Sequence, residues 1–404
     1  MNNPVQNILN PFIMMNNGLL FACIGLFCIS CQATEQKPAY PYTLVDAQAT
    51  QETKALFANL KKISATHVLY GHEDDLAYGV KWENEQGRSD VKEASGSYPA
   101  VYGWDLGDLA QIDKADNLDG VDFDNMKQWI KEGYQRGGVI TLSWHMNHLG
   151  TEGDTWDTTR VAHRLLPDGD LHNEFNAMLD RFASFVSDLK ADSDQQELIP
   201  VIFRPYHEHT GWWFWWGSES TTVEEYVSLW RYTVEYLRDV KQVHNLLYAY
   251  SPNSLSEFDS YDDYWEKYPG DAYVDILGFD DYFTLQGRYG HEDGVAALGE
   301  HLSWLASQAR DRNKIAAITE TGLEGMTDPT WFTQKLLKAI QYSEDSKQIA
   351  YVLTWRNAQE WTKEGHFYAP YQGHSSASDF RSFREDGFVL FEDELPDMYT
   401  LTGF

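Results

Sequence analysis

Short apolar runs recur along the chain at 67–71, 98–106, 138–144, 198–206, 245–251, 274–279, 314–319 and 349–355. Several are rich in β-branched and aromatic residues and lie between polar or glycine-containing stretches, the pattern of strands buried on both faces. Between them the apolar positions change to a spacing of three and four, as in 51–63, where Leu56, Leu60 and Ile63 share a face. Helical patterns also run through 124–136, 171–189, 222–240, 295–312 and 330–342. Eight strands alternating with helices, undivided by any linker rich in proline, glycine or serine, predict one (β/α)8 barrel over residues 47–404.

Polar residues gather just after these runs, on the side where such barrels carry their active sites. The first run leads into His72, Glu73, Asp74 and Asp75, and the second into Trp104, Asp105 and Asp108. The third leads into Trp144, His145, Asn147 and His148, with Trp156 in the loop beyond. The sixth offers Asp280, Asp281 and Tyr282, the seventh ends on Glu320, and the eighth ends on Trp355 and Arg356. The fourth is the richest, because 203–216 reads FRPYHEHTGWWFWW and sets Arg204, His207, Glu208 and His209 before Trp212, Trp213, Trp215 and Trp216. Four near-consecutive indoles cannot all face one core, and a glutamate after a buried strand is rarely without a task. Indole faces stack on the C–H faces of sugar rings while their N–H groups stay free to donate. A carboxylate among tryptophans therefore suggests carbohydrate. The run 73–75 reads more simply as a solvated loop, with Asp74 or Asp75 capping a helix, and His148 as a hydrogen-bonded residue at a strand end.

Composition narrows the partners. The 31 Lys and Arg face 62 Asp and Glu, a net charge of -31 with no basic run, which points away from nucleic acid and anionic membrane surfaces. The 15 Trp and 24 Tyr exceed what a core needs and fit a surface for neutral, ring-shaped ligands. All three cysteines, Cys23, Cys28 and Cys31, lie near the N-terminus, so no disulfide is expected after residue 31. The apolar run 18–30 is too short to span a bilayer and is followed by Cys31. Residues 1–31 thus resemble a bacterial lipoprotein signal peptide with Cys31 as the lipidated residue, although no basic residue precedes Lys37. Residues 32–46, polar and proline-containing, read as a tether. The expected protein is an exported monomer, periplasmic or at the outer membrane, touching the membrane only through that lipid.

Cleaving a glycosidic bond needs one carboxylic acid to protonate the leaving oxygen and one carboxylate on the other side of the sugar. Glu208 and Glu320, at the ends of the fourth and seventh strands, fit that pair. A separation of about 5–5.5 Å between them would belong to a retaining double displacement. Glu320 is the expected nucleophile, with Arg204 as the partner that keeps it ionised, and Glu208 the acid/base, its proton held by nearby indoles and by the charge of Glu320. The strings YGHEDDLAYG, SWHMNH, FRPYHEHTGWWFWWG, FDDYF, TETG and TWRN together resemble glycoside hydrolase family 26, whose members are mostly endo-β-1,4-mannanases on (β/α)8 barrels. The resemblance implies the same two glutamate roles, with His145, Trp156, His207, Trp213, Tyr282, Trp355 and Arg356 as substrate contacts and Tyr282 hydrogen-bonded to the nucleophile. It implies a β-mannan substrate and no cofactor or metal; a mixed-linkage β-glucanase or a xylanase on the same scaffold is the alternative. Two further readings differ in class. His207-x-His209 with His145-x-x-His148 outlines a metal-dependent hydrolase, but residues two apart on one strand face the same way and Glu208 the other. A non-catalytic cell-surface glycan-binding lipoprotein would need the aromatics but neither glutamate.

Overall fold

A computed structural model describes residues 40–111, 113–191 and 197–401. Its framework is eight parallel strands: β1 Val68–Glu73, β2 Val101–Asp105, β3 Val139–Ser143, β4 Val201–Arg204, β5 Leu246–Tyr250, β6 Ile276–Asp281, β7 Ile315–Thr321 and β8 Tyr351–Thr354. Each pairs with the next, and β8 pairs back onto β1 from Leu69↔Tyr351 to His72↔Thr354, which closes the barrel and removes its free edges. All eight expected strands are present.

Strand alternation sorts the side chains into two cores. Leu69, Val101, Val139, Ile202, Leu247, Ile276, Ile315 and Tyr351 belong to the inner one. Most of them stand at the start of their strands, and they pack with Leu56, Phe57 and Leu60 of the helix Gln51–Ile63, which therefore closes the barrel floor. That helix begins where the Thr50 side chain accepts from the Thr53 N–H and ends on Lys61 and Lys62, the charge that suits a helix C-terminus. The alternate residues Val68, Tyr70, Val201 and Phe203 belong to the outer core against the surrounding helices. Those helices are Phe123–Gln135, His172–Asp188, Val223–Glu235, Gly294–Asp311 and the pair Phe332–Leu336 and Leu337–Ile340. After β5 the return is made by the short turns Leu255–Glu257, Tyr261–Trp265 and Asp271–Tyr273, and after β8 by the helix Ala377–Arg384.

The signal-peptide reading of 1–31 lies outside the described residues. The tether expected over 32–46 is described only from Tyr40, and from there it is packed. Tyr40 and Tyr42 lie against the floor core, Leu44, Val45 and Asp46 are buried, and the Val45 N–H donates to Asp275 Oδ1 at 2.9 Å. The apolar residues among the prolines give this segment surface to bury, so the barrel body starts at Tyr40. Among the described residues, no helix is long and apolar enough to cross a membrane.

Candidate active site

Two departures from regular backbone aim the glutamates. Beyond β4, Tyr206 and Glu208 adopt φ of 50° and 52°, a left-handed conformation that costs a non-glycine residue on the order of 1–3 kcal/mol and is concentrated at functional sites. The Glu208 N–H donates to the Ser251 carbonyl at 2.8 Å, which ties this turn to the end of β5. On β7 the pairing with β6 runs Phe279↔Ile318 and then Asp280↔Glu320, leaving Thr319 as an extra residue. Strict alternation from the inward Ile315 would turn Glu320 outward; the bulge re-aims it into the barrel mouth.

Glu320 is buried and accepts at both oxygens. Arg204 Nη2 donates to Oε2 at 2.5 Å, and the Tyr282 hydroxyl donates to Oε1. Arg204 Nη1 donates to Asp280 Oδ2 at 2.7 Å, so the guanidinium, itself buried, bridges two carboxylates. Asp280 also accepts from Thr319 Oγ1 and Ser251 Oγ, both at 2.7 Å; burial nonetheless pushes it up to about 7 against the pull of Arg204. Glu208 stands half-buried on the cleft wall, where Trp213 Nε1 donates to its Oε2 at 2.9 Å. Burial, and then the charges of Glu320 and Asp280, hold its carboxyl well above the usual range. The surroundings of Glu208 favour its protonated form, while Glu320 presents two acceptor oxygens, a contrast that suits glycoside cleavage by two carboxylates.

Both glutamates line one cleft of about 520 Å³. His145, Trp156, Trp213, Tyr282, Trp355 and Arg356 line it too. Trp156 stacks on His145 (ring centroids 5.6 Å apart, 26° between planes) and is 49% exposed, as a platform at a cleft edge should be. Arg356 pairs with Asp119 at 2.5 Å. Arg204 and His207 are different: both are buried beneath the cleft surface. His207 Nε2 lies 3.3 Å from His145 Nε2, and His145 Nδ1 lies 2.8 Å from Asp105 Oδ2. Burial opposes charge on His145, but Asp105 outweighs it and raises the imidazole's pKa; burial and then Arg204 and His145 push His207 far below the usual histidine range. The three side chains thus form one buried line, Asp105, His145 and His207, beneath the cleft.

The four histidines of the metal outline do not converge. His209 turns away to the Tyr250 hydroxyl at 3.0 Å, and His148 Nε2 donates to the Thr159 carbonyl at 2.8 Å. Among the described residues, no three His, Cys, Asp or Glu side chains are grouped to hold a metal ion. The tryptophan run divides as its length demands: Trp215 and Trp216 are buried, Trp213 lines the cleft and Trp212 is exposed.

The solvated loop expected at 73–75 is instead buried. Glu73, Asp74 and Asp75 are each no more than 2% exposed, and neither aspartate caps a helix. His72 Nδ1 pairs with Asp75 Oδ1 at 2.9 Å, Tyr78 donates to Asp74, and Glu73 occupies the room left by Gly103, where a Cβ would come within 1.9 Å of its Oε2. Burial and then Asp119 push Asp74 up to about 8. The sequence reading also missed Asp119, Glu324, Lys363, His366 and Tyr368, which line the cleft from loops rather than strand ends. A strand-end rule cannot find them; for Lys363, His366 and Tyr368 the signal was the density of polar and aromatic residues after β8, and Asp119 and Glu324 carried none.

Comparison with known proteins gives the family. The model of glycosyl hydrolase family 26 matches residues 45–364. The chain belongs to glycosyl hydrolase family 26. A family 26 β-mannanase structure from Bacteroides ovatus is 41% identical, with a TM-score of 0.81 over 88% of this chain and 99% of that one. The catalytic domain of a family 26 endo-β-1,4-mannanase from a Bacillus species is 37% identical, with a TM-score of 0.80 over 89% and 96%. In sequence, a mannan endo-1,4-β-mannosidase of Bifidobacterium adolescentis is 37% identical over 377 residues, 89% of this chain. The chain spans only 37% of the length of that relative.

Proposed function

We propose that this family 26 protein is an endo-acting, retaining hydrolase of β-1,4-mannan, galactomannan or glucomannan. The observation that carries the reading is the split environment of the two glutamates in one aromatic cleft: burial and two neighbouring carboxyls raise the pKa of Glu208, and Glu320 accepts from Arg204 and Tyr282. Glu208 donates its proton to the leaving oxygen as Glu320 attacks the anomeric carbon, forming a glycosyl-enzyme. Glu208, now ionised, takes a proton from the water that attacks the same carbon and frees Glu320. Arg204 and Tyr282 hold Glu320 in place; His145, Trp156, Trp213, Trp355 and Arg356 contact the sugars, with His207 supporting His145 from below. The choice of mannan is supported by the names of the relatives, because mannose differs from glucose only in the axial 2-hydroxyl and both sugars would stack on the same indoles. A reducing-sugar assay on galactomannan, glucomannan, barley glucan and xylan tests it. Mannans should be cleaved fastest, and an equal or better rate on the glucan would overturn the assignment.

Export with a lipid on Cys31 is part of the same proposal, supported by the apolar run 18–30 ahead of that cysteine. Replacement of Cys31 by Ser should release an active protein from the membrane fraction; retention would remove Cys31 as the anchor.

A further inference from the structure

The loop that carries Glu208 also carries an indole that the catalytic reading leaves unused. Trp212 is 61% exposed, although its neighbours Trp213, Trp215 and Trp216 are packed in the cleft wall or the core. Its backbone is fixed: the Gly211 N–H donates to the Glu208 carbonyl at 2.9 Å, and the Gly211 carbonyl accepts from the Ser218 N–H at 2.8 Å. Its ring stands edge-on to Trp213, with centroids 6.3 Å apart and planes at 80°. Trp213 in turn donates to Glu208, so the series Glu208, Trp213, Trp212 leads from the proton donor outward. An exposed indole on a tied-down loop, one residue from the indole that touches Glu208, offers a stacking face for a further sugar of the polymer.

We propose that Trp212 is the platform of a distal leaving-group subsite, stacking on a sugar of the β-linked polymer beyond the one that contacts Trp213. This rests on Glu208 being the acid, since the sugars on its side of the broken bond are then the ones that leave. A dinitrophenyl mannobioside has no sugar in that position, whereas a manno-hexaose does. The test compares wild type, Trp212→Ala and Trp212→Phe on both substrates, and also measures the ratio of transfer to hydrolysis with the aryl donor and mannobiose as acceptor. For Trp212→Ala, kcat/KM on the hexaose should fall about tenfold and the transfer ratio should fall with it, while aryl glycoside cleavage is unchanged; Trp212→Phe should recover most of the loss. No change on the hexaose would overturn the subsite, and equal losses on both substrates would assign Trp212 to supporting Trp213 and Glu208 instead. A wild type that cleaves the aryl mannobioside but no manno-oligosaccharide would overturn the proposed substrate and the subsite together.

Discussion

Arg204 is the residue on which the site's electrostatics turn. It is buried, it donates to Asp280 and Glu320 at 2.7 and 2.5 Å, and among the described residues these contacts bind two carboxylates from adjacent strands to one cation. Breaking a buried ion pair by removing one partner leaves the other charge uncompensated, a loss of roughly 3–5 kcal/mol. Arg204→Met should lose stability on that scale in urea titration, and Arg204→Met with Asp280→Asn should recover part of it because one of the stranded charges is gone. A single variant as stable as wild type would mean that Asp280 and Glu320 do not depend on Arg204. The Arg204 pairing with Glu320 was legible as sequence, because a charged residue ending a buried strand needs a partner at the same barrel mouth, whereas the Tyr282 contact came only from the family resemblance. The burial of His207 was not legible, since one residue on a polar turn gives no sign of which side the turn presents.

At the scale of elements, short apolar runs identified all eight strands and period-3.6 patterns the main helices, because each is a local pattern imposed by burial on two faces or on one. Three features escaped it. The Thr319 bulge depends on the register between β6 and β7, which neither strand carries alone. The return after β5 is built from three short turns whose apolar residues, among them Leu255 and Tyr264, follow no regular period. The buried acids of 73–75 look like a solvent-exposed run until distant segments cover them: the short strands Tyr78–Gly79 and Trp82–Glu83, Gly103 on β2, and Arg356 beyond β8. Charge predicts exposure only where nothing else in the chain supplies a cover and a partner.

The whole molecule inherits a pH dependence from this buried acidity. Burial, with Asp119 adding to it, raises Asp74 to about 8, above its unfolded value of 3.8. A carboxyl raised in the fold contributes stability that is fully present below its unfolded pKa and is lost as pH rises through its folded pKa. The melting temperature should therefore fall between about pH 5 and pH 9, and Asp74→Asn should flatten the upper part of that fall. A melting temperature that rises across the same range would contradict the burial of protonated acids. The pairing of Glu208 with Glu320 likewise belongs to the closed barrel, since the two stand far apart in the chain and meet only at its mouth. Its most direct test is the turnover of a dinitrophenyl β-mannoside by Glu208→Ala in the presence of azide. The first step needs no acid with that leaving group, so glycosyl-enzyme should form on Glu320, accumulate, and be released by azide as a β-glycosyl azide, while Glu320→Ala stays inactive. An α-azide from Glu208→Ala, or turnover by Glu320→Ala with no azide rescue of Glu208→Ala, would contradict the assignment.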